Sequence, residues 1–168
     1  MATGNDRLIQ WLRDAHAMEK QAETMLEAQA SRLEHYPELR QRIREHISET
    51  QNQARRLETC IERLGADTST MKDAAGKMSA MMQGLGGALA DDEIIKGSMA
   101  GYTFEHFEIS AYTTLIAAAE EAGDQQTASV CREILREEKA MADWIEHHLP
   151  AVTKQYLERE ELGGPAKR

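Results

Sequence analysis

The sequence predicts an all-α protein built around four long helices. Three observations carry that expectation. The strong helix formers Ala, Glu, Leu, Met, Gln and Arg dominate the 168 residues. Apolar residues recur at a spacing of three and four, and β-branched runs are absent. Prolines are confined to Pro37, Pro150 and Pro165.

The first helix is expected from about Asp6 to Leu33, on the stripe Leu8, Leu12, Ala15, Ala22, Leu26, Ala30, Leu33. "HYPEL" ends it, and Pro37 sits at the first position of the second helix, where its missing N–H does no harm. That helix carries Leu39, Ile43, His46, Thr50, Ala54, Leu57, Ile61 and Leu64, and stops at Gly65. A shorter Ala- and Met-rich helix is expected from about Asp67, fading at "GLGG". Asp91 or Asp92 then caps a third long helix reaching Ala122. Gly123 closes it, and Asp124 caps a fourth long helix from Gln125 to about His148. Pro150 is expected to interrupt that helix, leaving a short amphipathic piece behind it.

The long helices thus form two close pairs. Between the pairs, a helix of ~18 residues spans ~27 Å, enough to carry the chain from one end of a bundle to the other. A long crossover between two helical hairpins is the ferritin-like topology. The expected organisation is one ferritin-like domain over residues 1–162 and a mobile tail over 163–168.

The formal charge of -9, from 29 acidic and 20 basic residues, disfavours a nucleic-acid partner. Cys60 and Cys131 form no CxxC pattern. "MATGNDRLIQ" lacks a basic region followed by an apolar run, so no secretory leader is expected. No stretch approaches the ~20 apolar residues that span a membrane, and the expected location is the cytoplasm.

The informative feature is a set of carboxylates on the wrong face. The first stripe needs an apolar residue at 19 and has Glu19. The fourth, Cys131, Leu135, Ala142, Ile145, Leu149, needs one at 138 and has Glu138. The third, Ile94, Ser98, Gly101, Ile109, Tyr112, Ile116, has Glu105 on its seam and Glu108 on the shoulder. Glu49 lies on a shoulder of the second, one turn beyond His46. Glu19 and Glu49 share a separation of 30 residues with Glu108 and Glu138. At that alignment Ala22 matches Ala111 and Leu26 matches Leu115, a faint internal duplication that sets the carboxylates at one level. Buried carboxylates take up protons or find partners. A pair of divalent ions would remove their repulsion and use them as ligands. Ordinary solvation, pairing with Arg or Lys, and carboxyl–carboxylate proton sharing stand beside that reading.

Ferritin-like dinuclear sites carry Glu-x-x-His on two helices. Here Asn52 and Met141 stand three residues after Glu49 and Glu138. His46 falls on the core face, as a ligand, a support to one, or a hydrogen-bonded core imidazole. Tyr112, one turn after Glu108, reads as a partner for a site carboxylate or as ordinary core. The methionines of "KMSAMMQGLGG" read as adaptable packing.

The strings "WLRDAHAMEKQAE", "HYPELR", "DEIIKGSMAGYTFEHFEISAYTTLIAAA" and "REEKAMADW" resemble the YciE/YciF-like family of bacterial stress proteins, on its YciE side. The likeness covers nearly the whole chain. It implies a ferritin-like fold related to rubrerythrins, a homodimer, and metal ligands at Glu19 in "AMEKQ", Glu49 in "SETQ", Glu105 and Glu108 in "FEHFE", and Glu138 in "EEKA". Some relatives have His just after the second-helix Glu, where this chain has Gln51, Asn52 and Gln53. The resemblance implies no particular reaction.

Two functions follow as expectations. One is a stress protein with a di-iron or di-manganese carboxylate site that meets a small oxidant, peroxide or O₂, and an unknown redox partner. The alternative is a non-catalytic dimeric stress protein whose site is vestigial or structural. A storage cage is disfavoured by the absence of a basic tail and by the extra helices.

Overall fold

The computed structural model describes residues 4–67 and 91–166. Four helices are present among them: α1 Gly4–Arg32, α2 Pro37–Arg63, α3 Glu93–Glu121 and α4 Gln125–Glu161. The short helix expected from about Asp67 falls outside the described residues.

Sequence punctuation sets the helix ends. Gly65 and Gly123 adopt φ of 75° and 73°, a left-handed conformation that glycine enters without a Cβ clash. Each lets the chain turn back: Ala66 N–H bonds Ile61 C=O at 3.2 Å, and Asp124 N–H bonds Ala119 C=O at 2.8 Å. Asp124 then caps α4 by accepting from Thr127 N–H at 3.1 Å. Asp92 holds the same position on α3, but its carboxylate is drawn to Lys96 at 2.8 Å.

Cross-helix contacts define the topology. Arg32 at the end of α1 pairs with Glu93 at the start of α3, with Nη2 and Oε2 2.8 Å apart. Arg63 at the end of α2 donates to Thr127 Oγ1 at 2.8 Å. His148 of α4 lies 3.4 Å from Glu38, at the start of α2. So α1 runs antiparallel to α3, and α2 antiparallel to α4. The end of α2 and the start of α3 lie at opposite ends of the bundle, as the ferritin-like topology requires.

The apolar core comes in two parts. One contains Leu8, Leu12, Ala15, Leu57, Ile61, Leu115, Cys131 and Ile134. The other contains Leu26, Leu33, Tyr36, Leu39, Ile43, Met141, Ile145 and Tyr156. Buried polar side chains accumulate between them, at mid-bundle: Glu19, His46, Gln53, Glu105, Glu108 and Glu138.

One expectation about the C-terminal segment gives way. Pro150 does not end α4, which continues unbroken to Glu161. The ring faces solvent, and the segment beyond it is held by tertiary contacts that outweigh one missing N–H. Tyr156 and Val152 join the second core part, and Gln155 Nε2 donates to His35 C=O at 3.0 Å. Residues 163–166 fold back on the bundle. The chain reverses with Gly164 N–H on Arg159 C=O at 3.0 Å, and Tyr36 Oη donates to Ala166 C=O at 2.6 Å. Among the described residues no helix is long and apolar enough to cross a membrane.

Candidate metal centre

Each helix delivers its part of the polar layer through its inward stripe. Glu19 of α1 is 0 % exposed, in the gap between Ala15 and Ala22 where the spacing called for an apolar residue. On α3 the buried face is Glu105, Glu108, Tyr112, Leu115 and Ala119. Ile109 and Ile116 are only partly buried. The helix is thus turned from the expected seam toward Glu108 and Leu115 by less than the ~100° step of one residue, since Ile94, Ser98, Glu105 and Tyr112 stay buried. That turn moves Glu108 from the shoulder into the core. Glu138 of α4 is fully buried, and Met141 lies beside it in the second core part.

Four residues converge. Ligand-type atoms of His46, Glu105, Glu108 and Glu138 all lie within 4.8 Å of one another, and all four side chains are buried. His46 Nε2 is 3.4 Å from Glu105 Oε1 and 3.6 Å from Glu138 Oε2. Glu19 stands beside them, its Oε1 accepting from the buried Tyr112 hydroxyl.

Glu49 takes a different place. Its side chain remains 35 % exposed, and its Oε2 lies 2.7 Å from His46 Nδ1 and 3.3 Å from Arg42. It sits behind the imidazole, outside the four-residue group. His16 is buried but turned away, bonding Glu58 at 2.6 Å.

The electrostatics follow from burial. Desolvation pushes Glu19 up to about 8, against the opposing pull of the Tyr112 hydrogen bond. Burial, reinforced by neighbouring carboxylates, lifts Glu108 and Glu138 well above the usual range. Burial opposes a charge on His46, but hydrogen bonds to Glu105 and Glu49 outweigh it and raise the imidazole to about 10. Without an ion, this layer holds protons at neutral pH.

The residues fit a metal. Glu19 Oε2, Glu105 Oε2, Glu108 Oε1 and Glu138 Oε2 are all buried and meet no hydrogen-bond donor among the described residues. Buried oxygens are rarely left so, and four on one layer have the chemistry of a site for hard or borderline cations. A cavity of about 20 Å³ adjoins Glu105 between Gly97, Ser98 and Gly101, with room for about one water-sized molecule.

Sequence reasoning passed over Gln53. It is fully buried, and its Nε2 donates to Glu138 Oε1 and, at 2.9 Å, to Glu137 Oε2. Its spacing of seven from His46 on the α2 stripe was the available signal.

A family model described as a domain of unknown function (DUF892) matches residues 3–158. The chain belongs to the DUF892 family. Protein YciF of Escherichia coli K12 is 31% identical over 151 residues, covering 83% of this chain and 86% of YciF. The crystal structure of that E. coli stress protein superposes with a TM-score of 0.76, over 89% of this chain and 96% of YciF. A Xanthomonas campestris pv. campestris protein of solved structure is 42% identical, with a TM-score of 0.82 over 95% and 99% of the two chains. The bacterioferritin of Desulfovibrio desulfuricans, whose structure contains a diiron site, reaches a TM-score of 0.74 at 22% identity, over 95% of this chain and 91% of its own. That likeness establishes a ferritin-like bundle for this DUF892 chain.

Proposed function

We propose that this DUF892 protein holds a pair of divalent ions, iron or manganese, in its buried carboxylate layer, and handles peroxide or O₂ there. The supporting observation is the convergence of Glu105, Glu108 and Glu138 with His46, with Glu19 beside them and a buried oxygen on each of the four carboxylates that meets no donor among the described residues. Two divalent ions balance the formal charge of four carboxylates. When bound, such a pair supplies the electrons that reduce a small oxidant, with an external reductant restoring them.

The chain's own residues prepare the site. Glu49 accepts from His46 Nδ1–H, which fixes the tautomer that leaves Nε2 free to ligate. Arg42 offsets the Glu49 charge at the rim. Tyr112 orients Glu19, and the apolar parts on either side keep bulk water out. The likeness to the E. coli stress protein YciF supports a part in a stress response. A cytoplasmic homodimer without a nucleic-acid partner is proposed from the sequence alone, on its acidic charge and family resemblance.

One observation favours a second reading. Neither Glu-x-x-His histidine is present: Asn52 is exposed and Met141 is buried in apolar surroundings. A proton-sharing layer pinned by His46 would serve a non-catalytic stress protein with a vestigial or structural site.

Elemental mass spectrometry on protein purified without a metal-affinity tag separates the two. The metal reading expects about two iron or manganese ions per chain, lost in Glu105→Ala/Glu138→Ala. No metal in the wild type, even after anaerobic reconstitution, leaves the proton-sharing layer.

A further inference from the structure

We propose that Gln53 is a donor from α2 to this site, and that its neutral carbonyl oxygen biases the site toward hard divalent ions of the manganese class. The inference rests on the metal reading above. The orientation of the amide is dictated by its neighbours. Its Nε2 lies on two carboxylates, Glu138 and Glu137, and with Glu138 ionised, as a metal ligand must be, a flipped amide would set Oε1 against both. Oε1 is therefore the free limb. It is buried and meets no donor among the described residues. An amide oxygen left in that state is destabilising, and a cation satisfies it.

The distribution of donors over the bundle points the same way. α1 supplies Glu19, α3 supplies Glu105 and Glu108, and α4 supplies Glu138, all buried. On α2 the Oε2 of Glu49 is occupied by His46 and Arg42, and its side chain is 35 % exposed, outside the buried group. That leaves α2 with one imidazole, His46, and two neutral oxygens, the Gln53 amide and the Thr50 hydroxyl, of which the hydroxyl has its own proton to donate. Four carboxylates already balance two divalent ions, so a neutral fifth oxygen adds a ligand without adding charge. Imidazole favours zinc, copper, iron and nickel, whereas carboxylate and carbonyl oxygens favour magnesium, calcium and manganese. A layer with four carboxylates, one amide oxygen and a single imidazole is oxygen-rich.

The test titrates metal-free, full-length protein with Mn²⁺ and separately with Zn²⁺ by calorimetry, for wild type, Gln53→Met and Gln53→His. Circular dichroism verifies helicity, and methionine preserves the chain length and bulk of glutamine. Gln53→Met is expected to weaken Mn²⁺ by at least about tenfold. Gln53→His is expected to raise the Zn²⁺-over-Mn²⁺ affinity ratio by at least about tenfold over wild type. A residue that only positioned Glu138 would weaken both ions alike, so an unchanged ratio in Gln53→His overturns the proposal. So does wild-type Mn²⁺ affinity in Gln53→Met. A wild type that binds neither ion overturns the metal reading itself, and this inference with it.

Discussion

Tyr112 of α3 donates its phenolic hydrogen bond to Glu19 Oε1 of α1, and neither residue exposes any surface. The contact joins the two hairpins at the level of the polar layer. It is the only donor that reaches Glu19 among the described residues, since Glu19 Oε2 has none.

Tyr112→Phe removes that donor while keeping the ring. Leaving a buried oxygen unsatisfied is expected to lower stability by about 1–3 kcal/mol. Urea unfolding of the metal-free protein measures it. A midpoint equal to wild type would show that the hydroxyl does not hold Glu19.

The metal-free protein is expected to lose stability as pH rises. Folding raises Glu19 from 4.5 to about 8, through burial. It raises His46 from 6.5 to about 10, as carboxylate hydrogen bonds overcome the opposing effect of burial. A group raised by folding contributes fully below its unfolded value and loses that contribution as pH climbs through the folded one. The decline therefore begins near 4.5 and extends toward 10. Glu49 is shifted the other way: burial raises it, but the His46 hydrogen bond and Arg42 lower it further, so its contribution fades below 4.5. Melting temperatures in chelator across this range check the slope. A rising profile between pH 6 and 9 would contradict it. Added Mn²⁺ should stabilise more at pH 8 than at pH 6, because ions and protons compete for the same oxygens.

Glu108→Gln separates fold from function. The amide matches the shape of a protonated carboxyl and avoids both the burial cost and the carboxylate repulsion that raise Glu108. In chelator at pH 8 the variant should melt higher by about 2–4 °C, corresponding to roughly 1 kcal/mol, and bind metal more weakly. A variant that melts far below wild type would make this carboxylate a structural element.

Pro150→Ala should stabilise the end of α4. Alanine restores the N–H missing inside a continuous helix, at an exposed position. The expected gain is about 1–3 kcal/mol, bounded by the ~3 kcal/mol cost of proline in a helix interior. Amide exchange over residues 151–161 reads it. Unchanged protection there would mean that docking of Tyr156 alone sets the stability of the segment.

Much of this architecture is legible from residue order alone. Periodicity marks the inward stripes, Gly65, Gly123 and Asp124 mark the breaks, and Glu19, Glu105 and Glu138 stand out because each occupies a position that burial should make apolar. These are local signals, written within a few helical turns. The tertiary structure decided the rest. It turned α3 by less than the ~100° step of one residue, so that Glu108 joins Glu105 and Tyr112 in the core and Ile109 is only partly buried. It placed Glu49 behind His46 and sent Gln53 to Glu138. It carried α4 past Pro150 because Tyr156 had a core to enter. Periodicity shows which face of a helix turns inward. The rotation and level of that face against its neighbours are set by how four helices pack at once, and a site built from all four exists only at that stage.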